Sequence, residues 1–397
     1  MTDFITQISH WNQDCSNLYV PDVDDNIVNS IHLKPFRQRT REAWEAFVSH
    51  EAELRDLMDS AQHEGVSRKL VEKCSEVLSA ALQRPAFELG FNGSKYDLIL
   101  SPEGDRVKLF QLTYFAERAP ESIREHWNII VGRSHSENYV LRMHGLSVEI
   151  ADFQVWVEKC TDKKIALSLY SEKLLPLIKE NENKAYSLAY ILVDQVLGEI
   201  AAMRYVAGVQ LLAAPIPGES IPLADLPSLM ETDIDPQGWS DAANPKAACE
   251  CYTAYRGTPL NEGRWPLRAD AYAGMTCCLP LINAYFSGDD YYMDLLERDG
   301  AVPGFLFWPL ENIRKEDILD LRDQIEGAIL KRAGADAVTF TGGASGQIFG
   351  YLDFIAWDFP AVMTAAKEVL EATPLKQAGF HSFRMNAGGV GLKDREL

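Results

Sequence analysis

The chain has 397 residues, of which 47% are hydrophobic, and this content excludes intrinsic disorder for most of its length. Its 38 basic and 58 acidic side chains give a formal charge of −20, which disfavours nucleic acid and anionic membrane surfaces as partners. Because a single hydrophobic core seldom grows beyond about 250–300 residues, we expect more than one domain.

No targeting or membrane-spanning segment is predicted. Residues 1–20 lack the apolar run of a secretory signal, and the longest apolar candidate, residues 185–209, is interrupted by charged side chains. The seven cysteines have irregular spacing, which is typical of reduced thiols rather than of a disulfide framework. We therefore predict a cytoplasmic protein that has neither a membrane nor nucleic acid as its partner.

Residues 1–86 are predicted to form an N-terminal helical segment. Apolar residues recur at steps of three and four between Gln38 and Gln83, and the pattern breaks at Gly65. This spacing predicts a helical hairpin. Since two helices are too few to bury both apolar stripes alone, we expect the hairpin to dock on the domain that comes after it in the chain.

Residues 87–213 alternate between strand and helix signals, as expected of an α+β domain. Helices are predicted at residues 107–119 and from Asn183 onward. Segments rich in β-branched and aromatic residues predict strands at residues 96–100, 127–131, 153–157, 165–170 and 209–212. The order β-α-β-β-β-α-β favours a mixed or antiparallel sheet with helices on one side.

Residues 214–248 are predicted to be a proline-rich linker. Six prolines interrupt any helical or strand period between Ala214 and Cys249. Proline lacks an amide hydrogen and has a fixed φ, so we expect this segment to run over the surface in an extended form.

Residues 249–397 are predicted to form a second α+β domain. Strands are expected at residues 305–308, 337–341, 351–357 and 378–383, and helices at residues 316–331 and 359–371. The order β-α-β-β-α-β is the split pattern of a ferredoxin-like layer. The predicted fold class is thus α+β, with two mixed or antiparallel lobes whose helices lie on one face. The similar element order of both halves suggests an ancient duplication.

Several short motifs carry a resemblance to other proteins. They are Leu98-Ile-Leu-Ser-Pro-Glu-Gly-Asp105, Ala119-Pro120 before His126-Trp127-Asn-Ile-Ile130, Gln195-Val-Leu-Gly-Glu199 and Gly350-Tyr-Leu-Asp-Phe-Ile355. Together they resemble a broad group of uncharacterised bacterial cytoplasmic proteins. The resemblance covers residues 87–215 and part of the last hundred residues. It implies a bacterial origin and a shared α+β fold, and it implies no chemistry.

The candidate catalytic residues are Cys278 or Ser345 as nucleophile, with His381 and Asp353. Strand alternation places His381 on the same face as Phe383, which is more typical of a hydrogen-bonded core histidine than of a base. The chain has neither a Gly-x-Ser-x-Gly elbow nor a His-Glu-x-x-His motif.

Neither a metal nor a cofactor is predicted. Cys249 and Cys251 form a Cys-x-Cys pair and Cys277 and Cys278 are adjacent, whereas zinc knuckles need two to four intervening residues. The glycine-rich stretch 341–350 has a composition that can cradle an anion. A strand rather than a helix is predicted after it, which favours a hairpin or a bulge.

Two segments are candidates for binding a ligand or partner. In the first, Arg264, Trp265, Arg268 and Asp270 combine arginine forks with an aromatic ring, although the arginines are also suited to an interdomain salt bridge. The second segment is acidic and aromatic, and it suits either protein recognition or a helix start, where aspartates meet the dipole; its residues are Asp289, Asp290, Tyr291 and Tyr292.

Two function classes are consistent with these observations. The preferred interpretation is a non-enzymatic binding or regulatory protein, immunity-like, whose acidic surface masks a basic protein partner such as a toxin nuclease. The alternative is an enzyme or small-ligand protein with a site in the interdomain cleft, where Arg268, Asp353 and His381 supply the polar groups.

Overall fold

The computed structural model describes residues 34–60, 64–137, 139–259 and 266–393, and for residues 64–67 it describes only the backbone. The chain divides into two units. Unit 1 takes in the residues up to Ala46, the segment Glu76–Gln83 and the residues from Tyr252 onward. Unit 2 takes in Phe47–Ser75 and Arg84–Cys251.

Both helices and strands run through the described chain, so the fold class is α+β, as predicted. The α-helices are α1 Phe36–Asp59, α2 Glu64–Leu78, α3 Arg106–Glu117, α4 Glu121–Arg124, α5 Leu175–Glu180, α6 Glu182–Leu197, α7 Glu199–Tyr205, α8 Leu226–Leu229, α9 Pro245–Cys249, α10 Leu279–Ser287, α11 Tyr291–Arg298, α12 Ile318–Ala333 and α13 Phe359–Glu371. The strands are β1 Ala86–Phe91, β2 Tyr96–Ser101, β3 Trp127–Val131, β4 Val140–Met143, β5 Leu146–Glu149, β6 Gln154–Lys159, β7 Ile165–Tyr170, β8 Val206–Leu211, β9 Ile221–Pro222, β10 Thr253–Arg256, β11 Ala271–Thr276, β12 Val302–Pro309, β13 Val338–Gly346, β14 Phe349–Ala356, β15 Ala378–Ser382 and β16 Val390–Lys393.

Unit 1 contains a seven-stranded sheet with the order β10-β11-β13-β14-β12-β15-β16, and all neighbouring strands are antiparallel. Its centre is the ferredoxin-like series β12-α12-β13-β14-α13-β15, so the element order predicted for this part of the chain is confirmed. Strands β10, β11 and β16, which the sequence pattern did not predict, extend this centre at both edges.

The two faces of the unit 1 sheet differ because successive strand residues point to opposite sides. The helix-covered face carries Leu306, Trp308 and Phe354, which share a core cluster with Ile325 and Ile329 of α12. The opposite face, called here the polar face, is also packed against a helix, since Tyr285 of α10 contacts Phe305 and His381, so the helices of unit 1 do not lie on one face as predicted. This face carries a row of paired residues from three neighbouring strands. These residues are Phe305 of β12, Asp353 of β14 and His381 of β15.

Unit 2 contains three separate sheets, so the prediction of one sheet for residues 87–213 is wrong. Their orders are β1-β2-β3, β4-β5 and β8-β7-β6-β9. Strands β2 and β3 are parallel, which requires a crossover, and α3 provides it. This arrangement does not reproduce the strand order of unit 1, and the suggested duplication has no counterpart in the topology.

The helix predicted from Asn183 onward is not continuous, because Gly198 ends it. Gly198 has a φ of +83°, in the left-handed region that glycine adopts readily. Helices α6 and α7 meet there at an angle of 104°. Among the described residues no single helix is long and apolar enough to cross a membrane, and these two reach that length and composition only together.

The proline-rich segment is not extended, which corrects the expectation for residues 214–248. It forms the short strand β9 and a series of helical turns that includes α8 and α9. Proline is tolerated in the first turn of a helix, and both of these helices start in that way. Leu223, Leu226 and Met230 are fully buried in the core of unit 2.

The helices α1 and α2 agree with the two helical periods predicted before residue 86. Helix α1 ends at Asp59 and α2 begins at Glu64, so the predicted break at Gly65 is wrong, because Gly65 lies in the first turn of α2. Phe36 packs on Trp357 within unit 1, and Phe47 packs on Trp127 within unit 2, with ring centroids 5.5 and 5.4 Å apart. Both units therefore use α1 as a packing element.

Candidate functional site

A buried ion pair occupies the polar face of the unit 1 sheet. Arg268 and Asp353 are 1% and 0% exposed. The guanidinium donates to both carboxylate oxygens, through Nη1 to Oδ1 and through Nη2 to Oδ2 at 3.1 Å, and Nη2 also contacts Tyr255 Oη at 2.7 Å. Burial alone would lower the pKa of Arg268, but the charge and hydrogen bonds of Asp353, together with the charges of Tyr255 and Tyr351, outweigh burial and raise the pKa above its usual range.

Aromatic rings enclose this ion pair. The guanidinium carbon of Arg268 lies 5.0 Å from the ring centre of Phe305, 5.1 Å from that of Tyr351 and 5.7 Å from that of Phe383. Arg268 also has a φ of +70°, which is uncommon for a residue other than glycine. The surrounding contacts thus hold a strained backbone in place.

Asp270 connects the same turn to the β13–β14 hairpin. Its Oδ2 accepts from the amides of Ile348 and Phe349 at 2.8 and 2.9 Å, and its Oδ1 accepts from Tyr351 Oη. Burial and the neighbouring Asp270 raise the pKa of Tyr351 well above its usual value. The hydrogen bonds described for Arg268 and Asp270 therefore all lie within unit 1. Arg264 and Trp265 lie outside the described residues.

His381 and Asp353 lie on the same polar face, but Phe305 of β12 lies between them, and both are fully buried. The ring nitrogens of His381 lie 2.6 Å from the carbonyl oxygen of Ser382 and 2.9 Å from that of Ala387. The imidazole also stacks on Phe305 at 5.2 Å. This geometry matches a hydrogen-bonded core histidine and directs neither nitrogen towards solvent.

The two candidate nucleophiles lie in different places, and Ser345 is on the opposite face of the sheet from His381. Cys278 is 0% exposed and precedes α10, where its amide donates to Thr276 Oγ1. Ser345 lies on the helix-covered face, since it pairs with Gly350, and its hydroxyl contacts Arg322 at 3.2 Å. In the described parts of the chain no group of three or more histidine, cysteine, aspartate or glutamate side chains has the arrangement of a metal site.

The acidic aromatic segment forms the start of α11, with its side chains near the surface. Asp289 Oδ1 accepts from the amide of Tyr291 at 2.9 Å, as expected at a helix start. Tyr291 is 54% exposed, and its ring contacts that of Tyr292 at 5.2 Å. The protein-recognition and helix-start interpretations are therefore compatible, because the cap uses the carboxylate and leaves the ring of Tyr291 exposed.

Arg384 gathers several carboxylates beside this segment. Its guanidinium lies 3.2 Å from Asp290, 2.7 Å from Asp294 and 2.7 Å from Glu297. Burial lowers the pKa of Arg384, but the hydrogen bonds that it donates to Glu297 and Asp294, together with the charges of Glu297 and Asp290, outweigh burial and raise that pKa. The single positive charge of Arg384 thus faces three carboxylates, so the surface around Asp290 and Asp294 keeps an excess of negative charge.

A second buried polar centre lies in unit 2 around Glu199, which sequence reasoning named only as the last residue of a motif. Glu199 is 0% exposed. Its Oε1 accepts from Ser101 Oγ at 2.8 Å and from the Glu103 amide at 2.9 Å, and its Oε2 accepts from the Arg133 amide at 3.0 Å. Glu199 thereby ties the carboxyl ends of the parallel strands β2 and β3 to the start of α7.

Asp194 lies in the same region and has a strongly altered acidity. Burial and the negative charge of Glu199 raise the pKa of Asp194 to about 7, against the opposing effect of Arg133. A carboxyl group with this pKa is half ionised at neutral pH and can exchange protons there. Structural carboxyl groups that are buried beside a like charge have the same property.

The Asp194→Asn variant is expected to remove a pH dependence of stability. The folded pKa lies above the unfolded one, so the folded state binds the proton more tightly, and stability falls as the pH rises from about 4 to about 7. The variant should match the wild type near pH 4 and be about 4 kcal/mol more stable at pH 8, because a rise of the pKa from 3.8 to about 7 corresponds to that difference. Urea unfolding of both proteins across this range measures the difference, and parallel pH profiles would refute the assignment.

Searches found no family, no curated protein and no solved structure that matches this chain. The resemblance noted in the sequence therefore stays a prediction. Its motifs nevertheless have a structural role here, because Ser101 and Glu103 of the first motif meet Glu199 of the third.

Proposed function

We propose that this chain is a non-enzymatic binding protein that masks a basic protein partner in the cytoplasm. The partner docks on the acidic tyrosine surface, defined as Asp289, Asp290, Tyr291, Tyr292 and Asp294. The observation that carries the proposal is the contrast between the 54% exposure of Tyr291, beside this group of carboxylates, and the complete burial of Asp353, Cys278 and His381.

The chemistry of the acidic tyrosine surface favours a basic partner. Tyrosine provides a large contact area and loses little conformational entropy on binding, and carboxylates speed the approach of a cationic surface. Asp290 and Asp294 remain 49% and 60% exposed although both contact Arg384. They can therefore accept hydrogen bonds from lysine or arginine side chains of the partner without being drawn out of a buried position.

The overall charge and the state of the cysteines support the same proposal. A formal charge of −20 provides a long-range field that attracts basic proteins and repels nucleic acid. Cys160 and Cys251 are exposed and not in disulfides, which suits a reducing compartment.

The test compares the affinity of variants for the basic protein captured from the source cell. Tyr291→Ala is expected to raise the dissociation constant at least about 10-fold, and Asp289→Asn/Asp290→Asn is expected to slow association and to reduce its salt dependence. Surface plasmon resonance at two salt concentrations measures both effects.

The matched control is Asp320→Asn/Glu371→Gln, which removes two exposed carboxylates from elsewhere in unit 1. The control should bind as the wild type does at physiological salt. Equal losses in the control and in the surface variants would mean that only net charge matters, and unchanged binding in Tyr291→Ala would refute the docking surface.

A further inference from the structure

A buried hydrogen-bond donor without a partner lies on the helix-covered face of the unit 1 sheet. Trp308 is 0% exposed, and its indole Nε1 has no hydrogen-bond partner among the described residues. Nearly all buried donors in folded proteins are paired, because a buried unpaired N–H loses its hydration without compensation. The indole N–H of Trp308 therefore needs a hydrogen-bond acceptor that the described protein residues do not supply.

Arg322 of α12 is a second donor with unused capacity on the same face. Its Nη2 donates to the Ala344 carbonyl at 2.9 Å and to Ser345 Oγ at 3.2 Å, while its buried Nε has no partner in the described part of the chain. No carboxylate of the described residues lies within 4.0 Å of this guanidinium. Burial lowers the pKa of Arg322, as expected for a partly dehydrated cation without a bound anion.

Glycines bring these donors close to the sheet. An ideal Cβ at Gly350 would lie 3.0 Å from Trp308 Nε1, and one at Gly343 would lie 3.2 Å from Arg322 Nε. Ser345 pairs with Gly350 and Gly350 pairs with Trp308, so the three positions form one row across neighbouring strands. Neighbouring Cβ positions in such a row are about 4.5–5.5 Å apart. The Cβ atoms of Ser345 and Trp308 are two such steps apart, but Trp308 Nε1 lies over the Gly350 position, one step from Ser345. One small molecule can therefore reach Arg322, Ser345 and Trp308 together.

The available groups define the chemistry of the ligand. The indole and the guanidinium only donate hydrogen bonds, and the hydroxyl of Ser345, which already accepts from Arg322, has its own proton left to donate. A set of donors that includes an arginine fork suits an oxyanion. Arg322 and Ser345 are partly exposed, whereas Trp308 is fully buried, so an anion would approach from the side of Arg322 and Ser345.

We propose that a small oxyanion, either a phosphate or the carboxylate of a small molecule, binds to Arg322, Ser345 and Trp308 on the helix-covered face of unit 1. The site lies against the glycine-rich stretch 341–350, whose glycines leave room for the side chains of Arg322 and Trp308. It is independent of the acidic tyrosine surface, which attracts cations and lies on α11.

The indole N–H of Trp308 is a direct reporter of this site. Protein labelled with ¹⁵N in its tryptophan indoles has eight indole positions, and Trp308→Phe identifies the Trp308 cross-peak. Sodium phosphate in one arm and sodium acetate in the other are titrated at constant ionic strength against sodium chloride. We expect a saturable downfield shift of the Trp308 cross-peak in at least one arm, and the responding arm distinguishes phosphate from carboxylate.

Arg322→Gln should raise the apparent dissociation constant at least about 10-fold, and Arg322→Lys should have an intermediate effect because it keeps the charge but loses the fork. Arg332→Gln is the matched control, since Arg332 lies on the same helix and pairs with Glu368 at 3.6 Å near the surface. A Trp308 cross-peak that stays unmoved up to about 100 mM of either anion would overturn the proposal. An equal shift in the wild type and in both Arg322 variants would also overturn it.

Discussion

Arg268→Ala is expected to lower the free energy of unfolding by about 3–5 kcal/mol, because it leaves the carboxylate of Asp353 buried without its cation. Asp353 is 0% exposed, so its carboxylate has no direct contact with solvent to compensate for the lost guanidinium. The variant also removes the hydrogen bond to Tyr255 and the contacts with the three surrounding rings. Guanidinium chloride unfolding followed by tryptophan fluorescence measures the loss.

Two further variants separate the charge effect from a general loss of packing. Arg268→Met/Asp353→Leu removes both charges and fills part of the space, so it should be more stable than Arg268→Ala alone. Arg332→Ala breaks an ion pair whose side chains are 44% and 60% exposed, and it should cost less than about 1 kcal/mol. A loss of similar size in Arg268→Ala and Arg332→Ala would contradict the assignment of a buried ion pair.

Glu199→Ala is expected to destabilise unit 2 by about 3 kcal/mol or more, since each buried donor that loses its acceptor costs roughly 1–3 kcal/mol. The substitution removes the acceptor of the Arg133 amide and of the Ser101 hydroxyl. It also removes one of the two acceptors of the Glu103 amide, which keeps Ser101 Oγ at 3.1 Å. Hydrogen exchange should therefore accelerate first at the Glu103 and Arg133 amides, and denaturant unfolding measures the total loss.

Glu180→Ala provides the matched control for this prediction. Glu180 is 71% exposed and reaches only Lys184 at 3.9 Å, so its removal should change stability by less than about 0.5 kcal/mol. Glu199→Gln should fall between the two, because the amide keeps one acceptor oxygen but turns its NH₂ group towards a donor. If Glu199→Ala behaved like the control, the proposed link between β2, β3 and α7 would have to be abandoned.

The centre of unit 1 was predictable because its apolar pattern is strongly periodic. Helix α13 begins and ends at the predicted residues, and the order of the ferredoxin-like series was evident from six such segments. Strands β10 and β11 were missed because their exposed and buried residues do not alternate regularly; β11 contains Tyr272 and Met275 on the surface. Their pairing depends on the exposed backbone edge of β13, which no local pattern encodes.

Unit 2 was less predictable because its partners are distant in the sequence. The residues between Phe87 and Pro215 contain most of the predicted strands, but nothing local indicates which strands pair, and the structure divides them among three sheets. The break at Gly198 carried a signal, since glycine ends helices readily. Apolar residues on both sides of Gly198 nevertheless suggested one continuous helix.

The features of the candidate sites also divide into those that the sequence determines and those that only the tertiary structure decides. The sequence alone determined the excess of acidic residues, the helix start at Asp289 and the presence of arginines beside aromatic residues, because these depend on composition and near neighbours. Only the tertiary structure decided that Asp353 neutralises Arg268, that Glu199 caps two strands and that Arg322 and Trp308 keep unused donors. These outcomes depend on burial and on contacts between residues far apart in the chain, and both are properties of the packed molecule.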